Sequence, residues 1–88
     1  MHELSLMADL MRKIASIAQK ENAKKIVRIK VKLGALCHIS PEHFRGHFIL
    51  ASHKTVADGA ALVIEVLSDT DDPAAQEILL ESVDIEHE

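Results

Sequence analysis

Cysteine and aromatic residues are nearly missing from this 88-residue chain, which has one Cys, two Phe and no Trp or Tyr. The lone Cys37 has no partner for an internal disulfide, and without a CxxC pair the chain cannot build a thiolate zinc site, so we expect no zinc. A nucleic-acid partner requires a basic surface and stacking rings. The net charge of −4 and the shortage of rings therefore exclude that class.

Long hydrophobic runs and enzyme motifs are also missing. No apolar segment is long enough to cross a bilayer, and the N-terminus lacks the basic and apolar regions of a secretory signal. We therefore expect a cytoplasmic protein without a membrane partner. No Gly-rich phosphate loop or nucleophile–His–acid arrangement is present, which argues against an enzyme. A chain of 88 residues is predicted to form one domain, 1–88.

Apolar spacing predicts two helices. Steps of three and four across 4–21 place one apolar stripe on a helix that Asn22 can end. The stripe consists of Leu4, Met7, Leu10, Met11, Ile14, Ile17 and Ala18. Ser40 and Pro41 have the residue types of an N-cap and a first helical position, so a second helix is predicted from there to about Lys54.

Alternating apolar residues predict three strands. The first, at 26–33, has one apolar and one basic side. The apolar side consists of Val27, Ile29, Val31 and Leu33. The basic side consists of Arg28, Lys30 and Lys32. A second strand carries Leu62, Ile64 and Val66 after an Asp58-Gly59 turn, and an acidic loop at 68–77 precedes a last strand at 78–86.

The order helix–strand–helix–strand–strand predicts an α+β fold, a small mixed three-stranded sheet with two helices on one face. The other face, with its basic side chains, is either solvated or a docking surface for an acidic partner. Because the edges of the predicted sheet are exposed, the sequence is compatible with either a monomer or a dimer.

Histidine is the metal ligand that the chain has in quantity, with six residues. His43 and His47 are four apart on the second predicted helix and therefore share a side of it, with His38 just before the helix. This cluster is either part of a solvated helix face or a secondary metal site.

The first three residues, Met1, His2 and Glu3, can bind a metal ion together. The Met1 amine, the His2 amide nitrogen and the His2 imidazole form two small chelate rings, and Glu3 can add its amide nitrogen or carboxylate. Nitrogen-rich tetragonal sites suit Ni(II) or Cu(II). The alternative is that His2 has no function and Glu3 only favours a helix N-terminus.

The opening string Met1-His-Glu-Leu-Ser-Leu-Met7 resembles the start of the HypA/HybF family of nickel incorporation proteins. Further similar segments follow in the family's order and cover nearly the whole chain. They are Ala23–Val27, Val31–Gly34, Ser40–Phe44, Thr55–Ala60, Leu62–Glu65 and Ser82–Glu86.

This resemblance implies a nickel metallochaperone for [NiFe]-hydrogenase or urease maturation, with Met1, His2 and Glu3 as the nickel site. It also implies a HypB-like GTPase and a hydrogenase large subunit as partners. The family carries a zinc ribbon with two CxxC pairs between its second and third strands, where this chain has only residues 68–77. The zinc domain is therefore predicted to be absent and replaced by the short acidic loop.

Two other functions stay open. The chain could be an adaptor or regulator that keeps the family's docking surface but carries no metal. A metal-dependent enzyme that uses His38, His43 and His47 is a weaker alternative.

Overall fold

The computed structural model describes the backbone of residues 3–87 and the side chains of residues 6–87. The elements are α1 (Glu3–Lys20), β1 (Lys25–Leu33), α2 (Pro41–Ser52), β2 (Ala61–Val66) and β3 (Ile78–Glu86). The predicted order and the α+β class are confirmed. Among the described residues, no helix combines the length and the apolar character needed to cross a bilayer.

The sheet has the order β2-β1-β3, with β1 parallel to β2 and antiparallel to β3. Helix α2 connects the parallel pair, as the strand–helix–strand order predicts. Helix α1 packs against β3 and α2, and α2 packs against β2. Both helices therefore cover one face of the sheet.

The core lies between this face and the two helices. Four residues of the predicted α1 stripe are buried, namely Met7, Leu10, Ile14 and Ala18. Phe44 and Phe48 are 0% and 2% exposed, and their rings stack with centroids 6.5 Å apart. The two aromatic residues thus anchor α2, and Met7 acts as packing rather than as a metal ligand.

The predicted apolar side of β1 is wrong at Val27. Val27 is 38% exposed, whereas its neighbour Ile26 is fully buried. Ile26 pairs with Ile85 but Arg28 pairs with Asp84, so Val27 is an extra residue on β1. Such a β-bulge breaks the two-residue period on which the prediction depended.

A second bulge lies on β3, where the register shift between Lys30 and Val31 leaves Glu81 as the extra residue. The Glu81 carboxylate binds Lys30 Nζ at 2.9 Å and Lys32 Nζ at 3.0 Å. Arg28 Nε lies 2.8 Å from Asp84 Oδ2. The three cations of the outer face are thus paired with carboxylates of β3, which favours a solvated face over a docking surface for an acidic partner.

Each helix is followed by a strand that runs in the opposite direction, and these two strands, β1 and β2, are parallel. The two helices therefore begin at the same end of the molecule. We call this the helix-start end; it comprises the first turns of α1 and α2, residues 34–40 and the loop 68–77. The opposite end, which we call the helix-stop end, comprises residues 21–24, 53–60 and His87.

Candidate metal-binding site

The predicted primary ligands stand at the start of α1. Met1, His2 and the side chain of Glu3 lie outside the described residues. The backbone of Glu3 is described and begins α1. The surroundings of the first turn of α1 are therefore the part of the candidate site that the structure shows.

Helix α2 packs against α1, and its start is fixed by a side-chain cap. Ser40 Oγ accepts a hydrogen bond from the His43 backbone N–H at 3.2 Å, and Pro41 occupies the first turn, where its missing N–H costs nothing. The predicted cap is confirmed. Since the Ser40 oxygen caps the helix, the histidines that follow are held at defined positions on α2.

His43 and His47 lie one turn apart, and their rings meet edge to face with centroids 4.6 Å apart. His43 is exposed and His47 half-buried. Each precedes a buried phenylalanine, Phe44 or Phe48, in the sequence. The buried rings keep the helix in place and so determine where the two imidazoles stand.

The two helices run side by side in the same direction. Met7 lines a shallow cavity with His47, Leu50 and Ala51. Met11 and Ala15, further along α1, line the next cavity with Ala51 and Thr55. Glu3 precedes Met7 by one turn, about 6 Å along the helix axis.

The structure does not bring the whole predicted histidine cluster together. Among the described side chains, no three His, Cys, Asp or Glu residues converge into a group that could hold a metal ion. His38, in a left-handed conformation with φ 58°, therefore does not join His43 and His47 in such a group. Cys37 is half-buried and packs against the core.

The two remaining histidines of the described chain belong to the helix-stop end. His87 Nε2 lies 2.7 Å from the Glu21 carbonyl oxygen, and His53 Nδ1 lies 3.6 Å from an Asp58 carboxylate oxygen. Both are exposed. The contact of His87 joins residues 66 apart in the sequence, so no local pattern indicated it.

The acidic loop 68–77 closes the helix-start end. The Gly34 N–H donates to the Glu77 carbonyl at 2.9 Å, and the Leu36 N–H donates to the Ala75 carbonyl at 2.7 Å. Gln76, Glu77 and Ile78 line a cavity together with residues of α1, among them Leu6 and Asp9. The loop is thus a packed connection between β2 and β3 that also borders the start of α1.

Most of the chain is similar in sequence to known proteins. The family model described as "Hydrogenase/urease nickel incorporation, metallochaperone, hypA" matches residues 1–70. A hydrogenase maturation factor HypA from Archaeoglobus fulgidus is 36% identical over 66 residues, 75% of this chain and 60% of that protein. Its counterpart from Rhodopseudomonas palustris is 38% identical over 64 residues, 73% of this chain and 57% of that protein. The chain therefore matches about 60% or less of the length of these relatives.

Solved structures show the same fold. The solution structure of the Ni metallochaperone HypA from Helicobacter pylori superposes with a TM-score of 0.79 at 20% identity and covers 100% of both chains. A second solution structure of a HypA protein gives a TM-score of 0.66 at 16% identity, over 96% of this chain and 95% of that one.

The family match takes in α1, β1, α2 and β2, with the predicted ligands at its first positions. It ends inside the acidic loop, just before β3. The chain therefore belongs to the HypA family of hydrogenase and urease nickel incorporation metallochaperones.

Proposed function

We propose that this protein binds Ni(II) with Met1, His2 and Glu3 and delivers the ion for [NiFe]-hydrogenase maturation together with a HypB-like GTPase. The observation that carries the proposal is that the family match begins at residue 1 and so includes all three residues. The hydrogenase large subunit would receive the ion. In this role the protein is a carrier and not an enzyme.

The start of α1 supplies suitable donors. The first four backbone N–H groups of a helix have no partner within it. Glu3 is the first residue of α1, so its amide nitrogen is not used by the helix itself. Together with the Met1 amine, the His2 amide and the His2 imidazole, it forms a four-nitrogen set of the kind that suits Ni(II) or Cu(II).

The protein would do this as a single domain without a zinc module. The chain has no CxxC pair, and the loop 68–77 returns directly from β2 to β3. Because this loop packs against residues 34–36, the sheet is closed where the family's insertion would stand. Nickel binding would thus depend only on the helix-start end.

A calorimetric Ni(II) titration of protein with a native N-terminus, beside His2→Ala, tests the proposal. We expect one tight site in the native protein and its loss in His2→Ala and in protein with an N-terminal extension. The site should also weaken as the pH falls through about 6.5, where a free imidazole takes a proton. Equal binding by the native and extended forms would show that the ligands are wrongly assigned.

The second candidate is an adaptor that keeps the family's docking surface without carrying metal. It is favoured by the match to only about 60% of the length of the relatives. A pull-down of the GTPase partner that survives His2→Ala, from cells whose purified protein holds no nickel, would select the adaptor. A pull-down that requires both His2 and nickel would select the carrier.

A further inference from the structure

His43 and His47 are transition-metal ligand types that the fold holds at one-turn spacing on α2. Helical histidines four residues apart project from the same side and can bind one ion together. The helix that carries them is anchored by Phe44 and Phe48, both buried in the core. The two imidazoles therefore start from fixed Cα positions, which reduces the entropy lost when an ion brings them together.

The spacing of the two rings is close to that of a bound pair. With metal–nitrogen bonds of about 2.1 Å, two imidazoles that bind one ion at a right angle have centroids roughly 4.5 Å apart. The observed separation is 4.6 Å, with an angle of 63° between the ring planes.

The position of the pair links it to the proposed nickel site. His47 lines a cavity with Met7, one turn after the start of α1, and His43 lies one turn closer to the beginning of α2. The His43 side chain is exposed to solvent.

We propose that His43 and His47 form a second, weaker Ni(II) site on the first half of α2, beside α1. The choice of nickel as the ion rests on the proposed function; the site itself rests on the ring geometry. Two imidazoles leave the remaining positions of the ion to water, so this site exchanges its ion more readily than a four-nitrogen chelate.

The test is a Ni(II) titration by calorimetry of four full-length proteins with native N-termini. They are the wild type, His2→Ala, the double variant His43→Gln/His47→Gln and the control His53→Gln. Glutamine retains helix propensity and removes the imidazole. Far-ultraviolet circular dichroism and the thermal midpoint show that each variant is folded.

We expect two binding steps in the wild type. His2→Ala should remove the tight step and keep the weak one, whereas the double variant should keep the tight step and weaken the other at least tenfold. His53, which stands at the helix-stop end, should change neither step when replaced. X-ray absorption of the ion held by His2→Ala should show scattering from two imidazoles.

Other results would distinguish a failure of the His43/His47 site from a failure of the N-terminal site. A weak step that is unchanged in the double variant would overturn the histidine pair and leave the N-terminal site standing. A weak step sensitive to His43 and His47, with no tight step sensitive to His2, would overturn the N-terminal site and leave the pair standing. A wild type that binds only one ion, unaffected by the double variant, would also overturn the pair.

Discussion

The two ends of the molecule are closed by different means. At the helix-stop end, local devices act beside long-range contacts: Asn22 ends α1 in a left-handed conformation, Asp58 accepts a hydrogen bond from the Lys54 N–H four residues earlier, and His87 contacts the Glu21 carbonyl. At the helix-start end, the backbones of residues far apart in the sequence pack closely, as when Gly34 packs against the Ala75 backbone. The first turn of α1 and His43 stand at this second end, so the arrangement of these candidate ligands depends on the complete fold.

The largest effect should come from Gly34→Ala. A Cβ at Gly34 would lie 2.2 Å from the Ala75 carbonyl oxygen, too close for the loop to remain in place. We expect the free energy of unfolding to fall by about 3 kcal/mol, the upper range for overpacking. Urea denaturation measures this change.

Gly46→Ala is the matched control, because a Cβ there meets nothing within 4 Å and the residue lies inside α2. It should raise stability by about 0.8 kcal/mol through helix propensity. If Gly34→Ala unfolds at the same urea concentration as Gly46→Ala, the long-range closure of the helix-start end is wrong.

Gly59→Ala tests how much an added Cβ destabilises the helix-stop end. Gly59 has φ 78°, but a Cβ there would meet no atom within 4 Å. The cost is then only the local strain of a left-handed residue, about 1–2 kcal/mol. Thermal unfolding should place this variant between wild type and Gly34→Ala. A loss larger than that of Gly34→Ala would reverse the comparison between the two ends.

Ser40→Ala tests a local device of the helix-start end, the N-cap of α2. Loss of the oxygen that accepts the His43 N–H should lower stability by about 1 kcal/mol. Ser40→Asp, which keeps an acceptor, should remain within a few tenths of a kcal/mol of wild type. Equal losses in chemical denaturation of the two variants would show that capping is not what the serine contributes.

The smallest effect concerns the outer face of the sheet, between the ends. Hydrogen bonds from Lys30 and Lys32 hold the pKa of Glu81 below its ordinary 4.5, and the hydrogen bond to Glu81 raises the pKa of Lys32 above 10.5. The Glu81 contribution to stability is thus full above pH 4.5 and disappears as the pH falls through its lowered pKa. The Lys32 contribution is full below pH 10.5 and disappears as the pH rises through its raised pKa.

Glu81→Gln measures this pairing. Its urea midpoint should lie slightly below that of wild type at pH 7, because exposed ion pairs contribute little. The difference should vanish at a pH below the lowered pKa of Glu81. A difference that persists in strong acid would mean that packing, and not charge, is what the substitution removes.

Much of the fold was predictable because most of its boundaries are local. The α1 stripe, the Ser40 cap, the Asp58-Gly59 turn and the order of the elements follow from spacing within a few residues. Val27 was assigned to the wrong face because a bulge interrupts strand alternation. No residue type in the sequence marks that bulge.

For the candidate site, the sequence predicts the types of ligand atom but not how the ligands are arranged in space. The sequence indicates which donors Met1, His2 and Glu3 provide, and it places His43 and His47 on one side of a helix. It does not indicate that α2 packs against α1, or that His38 stays apart from the pair. These relations arise from the packing of both helices on one face of the sheet, which depends on contacts between distant residues.

The sequence by itself determined the helices, the strands, the donor types and the family, because each depends on residue identity and near neighbours. The tertiary structure alone decided three things: the pairing of Glu81 with two lysines, the closure of loop 68–77 on Gly34, and the position of His47 of α2 next to Met7 of α1. The reason is that register and helix packing are settled by burying the whole core at once.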